Sequence, residues 1–185
     1  MLEWSRKKTE VLNETRIFNL LQVRDHSPHT NKEHHFVVID SADWVNLVPM
    51  TEGGDIVMVR QYRHGSQRVT LEIPGGMVDL GEDPAEAAKR ECLEETGYVV
   101  ETVSSLGEIN PNPALFDTTL FTFVGKVVAN GEKQHVSETE NTEVQLVSLA
   151  QARQYLLDGT IDHALVCATL WRFLHQLEHL ADKGG

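Results

Sequence analysis

The first half of the chain carries short apolar runs, rich in Val and Ile, that alternate with polar or glycine-containing segments. Runs of this length and composition predict β-strands. The predicted strands are 9–12, 17–24, 36–40, 44–50, 55–62 and 69–73. Asn13-Glu14 is a predicted turn between the first two, and Gly53-Gly54 separates two later strands as in a hairpin. The first half is therefore predicted to be β-rich.

The second half mixes helical and extended patterns. Asp83 and Pro84 form a typical helix start, and Gly97 suits a left-handed helix end. Further strands are predicted at 115–128 and 142–148. A second helix is predicted from Ser148 to about 157, and a third helix from Asp162 to about 180. Strands, a helix, more strands and two helices in this order predict an α/β (α+β) fold.

Composition and charge restrict the classes of function. The 185 residues carry a formal net charge of −12, which argues against a nucleic acid polymer as partner, because such binding depends on clustered Lys and Arg. No apolar run reaches membrane-spanning length, and the basic start of the chain lacks the apolar segment of a secretory signal. Two cysteines, Cys92 and Cys167, fit a reducing compartment. We therefore expect a cytoplasmic protein with no membrane partner.

The most informative segment is acidic and lies between Gly76 and Gly97. Glu91, Glu94 and Glu95 occupy positions i, i+3 and i+4 of the predicted helix and share one arc of its surface. Like charges at this spacing repel, so the pattern predicts a compensating cation, and an all-oxygen ligand set favours Mg²⁺ or Mn²⁺ over zinc. Glu91 and Glu95 are the first predicted metal ligands, and Glu94 is a third ligand or a catalytic carboxylate just behind them. The alternative interpretation is an acidic helix face exposed to solvent.

The spacing of this segment resembles the Nudix box, Gly-x5-Glu-x7-Arg-Glu-U-x-Glu-Glu-x-Gly-U, in which U is a bulky apolar residue. The fixed positions are filled here by Gly76, Glu82, Arg90, Glu91, Glu94, Glu95 and Gly97. Cys92 and Tyr98 occupy the two U positions and are mild departures. The resemblance implies the Nudix fold, a mixed β-sheet between helices, in a hydrolase that cleaves diphosphate linkages with a divalent metal.

The same resemblance implies roles for residues around the box. The carbonyl of Gly75 would complete the metal site, and Glu82 would lie near the metals as the partner of Arg90. A direct contact of Arg90 with substrate is the alternative role for that arginine. In the ADP-ribose branch the general base lies in a loop before a late strand, which makes Glu140 the first candidate, as base or metal ligand, and Glu138 the second. The alternative interpretation of both is an exposed acidic loop.

A second resemblance lies before the box. Residues 60–63 and 71–76 are similar to the RQYR…ELPAG stretch of ADP-ribose and nucleotide-sugar pyrophosphatases, with IPGG in place of LPAG. An arginine at this strand end can form two parallel hydrogen bonds to phosphate oxygens, so Arg60 and Arg63 are predicted to bind substrate. The alternative for Arg60 is a surface ion pair. Glu72 is predicted to contact substrate or to cap a strand end. Pro113, past the box, is a further mark of this branch.

These features predict hydrolysis of a nucleoside diphosphate sugar, such as ADP-ribose or GDP-mannose, to a nucleoside monophosphate and a sugar phosphate. One alternative is a Nudix hydrolase of a dinucleoside polyphosphate or a damaged nucleoside triphosphate. Another is a non-enzymatic Nudix domain that senses nucleotides or binds a partner. The resemblance also implies that residues 1–40 form an N-terminal β extension that helps to build a homodimer, and that residues 41–185 form the hydrolase domain.

Overall fold

The computed structural model describes residues 3–130 and 142–183. Its strands are β1 (Ser5–Glu14), β2 (Phe18–His26), β3 (Glu33–Ser41), β4 (Trp44–Met50), β5 (Asp55–Arg63), β6 (Arg68–Glu72), β7 (Gly75–Met77), β8 (Tyr98–Ile109), β9 (Phe116–Asp117), β10 (Leu120–Asn130) and β11 (Thr142–Ser148). Its helices are α1 (Pro84–Thr96), α2 (Leu149–Asp158) and α3 (Ala164–Lys183). No helix within these described ranges is long and apolar enough to cross a membrane.

The described chain divides into two compact units. The first contains the residues up to Asp43 together with Asn110–Thr119, and the second contains Trp44–Ile109 and the described residues from Leu120 onward. The first unit is a sheet in the order β1–β2–β3–β9, in which only the short β9 pairs in a parallel direction. Every residue of the edge strand β1 is exposed.

The turn predicted at Asn13-Glu14 is wrong. Both residues still pair with β2, and the chain reverses after them. The hydroxyl group of Thr15 accepts hydrogen bonds from the backbone amides of Ile17 and Phe18 and also donates to the carbonyl of Phe18. A threonine that closes a turn in this way is less conspicuous in a sequence than an Asn-containing pair.

The second unit is built on a mixed sheet with the path β11–β5–β4–β10–β8, to which β6 adds beside β5 and β7 beside β4. Val45 and Leu47 of β4 pack in a buried cluster with Ala88 and Cys92 of α1. Val48 follows Leu47 directly and therefore points to the other face of β4. It packs in the second cluster, which contains side chains of α2 and α3. Because neighbouring side chains of a strand leave opposite faces, the sheet lies between helices. The predicted α/β (α+β) class is confirmed.

Helix α1 carries the acidic segment, and its two ends follow local rules. The Asp83 carboxylate accepts hydrogen bonds from the amides of Ala85 and Glu86, while Pro84 occupies the first helical turn. At the other end Gly97 adopts a left-handed conformation with φ 76° and donates its amide hydrogen to the Leu93 carbonyl. The caps fix the limits of the helix, and the burial of Ala88 and Cys92 against β4 sets which side faces the sheet.

The later elements agree with the predictions in part. Helix α2 begins with the predicted capping box, in which Ser148 and Gln151 bond to each other's backbone amides. The prediction that Asp162 starts the third helix is wrong, because its carboxylate pairs with Arg68 and the carbonyl of His163 accepts the first helical hydrogen bond of α3. The strand predicted at 115–128 is divided, since β9 joins the first sheet and β10 the second.

Candidate active site

Two glycines bring the acidic helix face against strand β7. The backbone amide of Gly75 donates a hydrogen bond to Glu95 Oε2 at 3.2 Å. A Cβ atom added at Gly76 would lie 2.4 Å from the carboxyl carbon of Glu91, and one at Gly75 would lie 2.3 Å from the carbonyl oxygen of Val45. Only residues without a side chain allow this approach. Gly75 therefore contacts Glu95, and Gly76 lies directly against Glu91.

Arg90 binds most of the acidic cluster, which we define as Glu82, Glu91, Glu94 and Glu95. Its Nε and Nη2 atoms form a fork onto Glu82, with both distances 2.9 Å. Its Nη1 atom donates to Glu91 at 2.9 Å and to Glu94 at 3.3 Å, and Nη2 also reaches the carbonyl of Met77 at 3.1 Å. The hydrogen bonds from Arg90 hold the pKa of Glu82 below its usual value. The structure thus places Arg90 as a brace of the box.

Glu95 lies apart from this brace. Burial raises the pKa of its carboxyl group to about 8, and the negative charge of Glu91 acts in the same direction. The hydrogen bond from Gly75 and the charge of Arg63 oppose the change but do not outweigh it. A carboxyl group in this position is poorly compensated when ionised, so a further positive charge beside it would be strongly favoured.

The donor set of the acidic cluster fits a divalent cation. Within residues 3–130 and 142–183, no three Asp, Glu, His or Cys side chains converge as in a preformed metal site. Three of the four carboxylates of the acidic cluster nevertheless share one guanidinium, and all available donors are hard oxygen atoms, which Mg²⁺ and Mn²⁺ prefer. The groups that would hold the ion are Glu91, Glu95, Glu94 and the Gly75 carbonyl, with Glu82 beside them.

A second arginine–glutamate pair lies on strands β5 and β6. Arg63 Nε and Nη2 donate to the two carboxylate oxygens of Glu72 at 2.8 and 2.7 Å, and the Thr70 hydroxyl donates to the same carboxylate at 2.6 Å. Burial alone would raise the pKa of Glu72, but these hydrogen bonds outweigh it and hold the pKa below its usual value. Glu72 is only 2% exposed, whereas the Arg63 side chain is 41% exposed. The buried carboxylate thus orients a guanidinium that still reaches solvent.

Arg60 is separated from Arg63. The two residues lie three positions apart on β5, so their side chains leave opposite faces of the sheet. Arg60 Nε donates to the side-chain oxygen of Gln145 on β11 at 2.9 Å. By contrast, the charge of Arg63 lowers the pKa of Glu95 and that of Glu72 raises it, so this pair lies within electrostatic range of Glu95. Of the two predicted arginines, only Arg63 is brought to the predicted metal ligands.

Sequence comparison with known proteins identifies the family of this chain. The family model described as NUDIX domain matches residues 40–169. The chain belongs to the NUDIX family. It is 33% identical over 109 residues to the ADP-ribose pyrophosphatase of Bacillus subtilis strain 168, a match that covers 58% of this chain but only 59% of that protein. The predicted family is thus confirmed.

Two further comparisons cover more of the NUDIX chain. It is 30% identical over 155 residues to the methanol dehydrogenase activator of Bacillus methanolicus, with 83% of each chain covered. A crystal structure of an ADP compounds hydrolase superposes with a TM-score of 0.83 at 20% sequence identity and covers 97% of both chains. This last likeness shows that the two chains share a fold.

Several site predictions are not tested by the described part of the NUDIX domain. Glu138 and Glu140, the candidates for the general base, lie outside the described residues and stay predictions. Pro113 lies in the first compact unit, just after Asn112, whose carbonyl accepts hydrogen bonds from the amides of Leu115 and Phe116. These contacts close a local turn and say nothing about substrate.

Three polar residues near the site are not predicted from the sequence: Gln61, Thr70 and Asn46. Gln61 lies two positions from the predicted residue Arg63, and Thr70 lies two positions from the predicted residue Glu72. The two-residue period of a strand places each pair on one face of the sheet. That period is the signal that could have identified them. Asn46 lies beneath Gly75 and donates to the Thr169 hydroxyl at 3.2 Å, a long-range contact with no local signal.

Proposed function

We propose that this NUDIX protein hydrolyses the diphosphate linkage of a nucleoside diphosphate sugar, such as ADP-ribose or GDP-mannose, with Mg²⁺ or Mn²⁺. The observation that carries the proposal is that the ordered Arg63–Glu72 pair lies within electrostatic range of Glu95 and its acidic cluster. Both a bound cation and a fixed guanidinium promote hydrolysis of a diphosphate diester, because they neutralise the charge with which its two phosphoryl groups repel an incoming nucleophile. The name of the Bacillus subtilis relative supports ADP-ribose as the first compound to examine.

In the proposed reaction each residue has a separate role. Arg63 forms a fork onto the phosphoryl oxygens, and Glu72 keeps its guanidinium in place. Glu91, Glu95 and the Gly75 carbonyl hold the divalent ion, which when bound neutralises phosphoryl charge and makes a water molecule more nucleophilic. Arg90 is a brace for Glu82 and the neighbouring carboxylates, and its direct contact with substrate stays the less supported prediction.

The general base of the proposal comes from the sequence. Glu140 is the first candidate and Glu138 the second, with Glu94 as a further carboxylate. Each should be replaced by glutamine, which removes the basic oxygen at nearly constant size. Loss of kcat with unchanged KM and unchanged Mg²⁺ binding would identify the base, whereas loss of kcat together with weaker Mg²⁺ binding would identify a metal ligand.

A screen of four compounds tests the proposed reaction. ADP-ribose, ADP-glucose, GDP-mannose and UDP-glucose should be incubated with the protein in the presence of MgCl₂, MnCl₂ or EDTA. We expect turnover of at least one compound to a nucleoside monophosphate and a sugar phosphate, and none with EDTA. A dinucleoside polyphosphate and an oxidised nucleoside triphosphate serve as competitors. Turnover of these alone would contradict the proposed substrate class.

A second candidate function is the activation of a partner enzyme. It is favoured by the Bacillus methanolicus relative, which is named as an activator of methanol dehydrogenase and matches over 83% of both chains. Glu95→Gln separates the two functions, because an activity that depends on hydrolysis would be lost with the acidic cluster. Unchanged stimulation of a nicotinamide-dependent dehydrogenase by Glu95→Gln would favour binding over hydrolysis.

We also propose that the protein is a homodimer in a reducing, cytoplasmic setting. The first compact unit exposes several apolar side chains, namely Trp4, Val11, Leu12, Ile17, Phe36 and Val37, and its strand β1 has an open edge. Such surfaces are typical of protein interfaces. Cys92 and Cys167 are free thiols, and burial raises the pKa of Cys92 to about 12. Sedimentation equilibrium would report the mass, and a monomer at micromolar concentration would contradict the dimer.

A further inference from the structure

One buried polar atom beside the candidate site has no partner. Gln61 on β5 is only 8% exposed. Its side-chain carbonyl oxygen, Oε1, is buried and accepts no hydrogen bond within the described part of the chain. Buried acceptors are nearly always satisfied, and one that is left open costs free energy of folding. An unpaired oxygen of this kind therefore points to a donor that arrives with a ligand.

The strand register places Gln61 on the substrate side of the sheet. In the antiparallel pairs it lies opposite Thr70 of β6 and Thr142 of β11. Arg63 lies two residues further along β5, so both side chains leave the same face, about 7 Å apart along the strand. Glu72 lies on that face as well, through its pairing with Val59.

The neighbouring hydroxyl groups are directed elsewhere. Thr70 donates to Glu72 Oε1 at 2.6 Å and approaches the main-chain carbonyl of Gln61 at 3.2 Å. Thr142 donates to the main-chain carbonyl of Glu95 at 2.6 Å. The Nε and Nη2 donors of Arg63 are directed to Glu72. The Gln61 oxygen thus remains a buried acceptor without a partner among the described residues, on a strand that is paired on both sides.

We propose that Gln61 Oε1 accepts a hydrogen bond from a sugar hydroxyl group of the substrate and so selects diphosphates that carry a sugar. The inference rests on the proposed function. At neutral pH the bridging phosphoryl groups of a diphosphate diester offer only acceptors, so the donor must come from the organic part of the ligand. The sugars bond directly to these phosphoryl groups, which Arg63 and the acidic cluster would hold, and a base lies one ring further away.

Removal of the acceptor and removal of the donor test the same contact. Gln61→Leu keeps the approximate size of the side chain and removes the oxygen, and Gln154→Leu on the exposed surface of α2 is the matched control. Both variants and the unmodified protein are assayed with ADP-ribose, with its analogues lacking one ribose hydroxyl on either side of the diphosphate, and with the methyl ester of ADP, which has no second sugar.

We expect Gln61→Leu to lower kcat/KM for ADP-ribose roughly 10–100-fold, because the hydroxyl group would lose its partner in a buried site. For one deoxy analogue, or for the methyl ester, the variant and the unmodified protein should agree within about twofold. An equal loss on every compound, or no loss on ADP-ribose, would overturn the role of Gln61. If the unmodified protein cleaves none of these compounds, the proposed function fails first and the inference fails with it.

Thermal unfolding without ligand gives an independent check. Since Oε1 has no internal partner, Gln61→Leu should unfold at the same temperature as the unmodified protein or higher. A clear decrease would show that the oxygen is satisfied within the protein and would overturn the proposal. Gln154→Leu should leave both the unfolding temperature and kcat/KM unchanged.

Discussion

Two arginine–glutamate clusters flank the candidate site, and the balance of their charges differs. On α1, the single guanidinium of Arg90 is shared among Glu82, Glu91 and Glu94. On β5 and β6, the single buried carboxylate of Glu72 orients Arg63, whose side chain remains partly in solvent. The first cluster has an excess of carboxylates and in the proposed function accepts a cation, while the second cluster presents a guanidinium to an anion. A diphosphate bridged by a metal ion could contact both.

The largest expected effect is that of Glu95→Gln, which removes negative charge from the first cluster alone. We expect turnover of the nucleotide sugar identified by the screen to fall roughly 10²–10³-fold or more, as when a main electrostatic stabiliser of a transition state is removed. Circular dichroism should show an unchanged fold. Steady-state kinetics at saturating Mg²⁺ measures the effect, and turnover equal to that of the unmodified protein would refute the assignment of the cluster.

The same residue predicts how stability depends on pH without metal. In the unfolded chain Glu95 releases its proton near its ordinary pKa of 4.5, whereas in the folded protein that pKa is about 8. Between these values the folded state binds more protons, so the free energy of unfolding should fall as pH rises from about 5 to 8, on the order of 3 kcal/mol in all. Urea unfolding in EDTA measures this. Glu95→Gln should remove that component, and an equal slope in both proteins would contradict it.

The second cluster is tested by Glu72→Gln. Glutamine keeps the size of the side chain but loses the charge that holds the Arg63 fork, so Arg63 should no longer be fixed in the orientation needed for phosphoryl oxygens. We expect kcat/KM to fall about 10–100-fold, the usual cost of losing a group that orients another. Calorimetry should show Mg²⁺ binding close to that of the unmodified protein. Loss of metal binding instead would mean that the two clusters are not separate in function.

Arg90→Lys tests whether the first cluster depends on its guanidinium for stability. A lysine ammonium cannot form a fork onto Glu82 and also reach Glu91. Without metal, the free energy of unfolding should therefore decrease by about 1–2 kcal/mol. Millimolar Mg²⁺ should restore part of this loss, because the ion supplies the positive charge. An equal loss with and without Mg²⁺ would show that the ion does not bind among these carboxylates.

The sequence predicts the parts of this molecule that depend on local spacing. The bounds of β4 and β11, both ends of α1 and the shared helix face of Glu91 and Glu95 follow from short-range patterns, whereas the place of Gly75 next to Glu95 is implied only by the family resemblance. The division between β9 and β10 could not be predicted, because strand propensity does not say which sheet a strand joins. The twelve-residue β8 is not predicted either, because its residues Val100, Val103, Leu106 and Ile109 recur every three positions and not every two. The contact of Asn46 with Thr169 links distant positions and likewise has no local signal.

The smallest expected effect concerns Arg60, and it sharpens the difference between the two faces of β5. The sequence predicts substrate binding for both arginines of the RQYR segment, yet strand alternation and the contact with Gln145 place Arg60 away from Glu95. Arg60→Gln should therefore change kcat/KM by less than about twofold, as is usual for an exposed polar contact. Arg63→Gln is the matched variant on the other face and should lose much more. Equal losses would mean that substrate reaches around the strand to both faces, and the second cluster would then need to include Arg60.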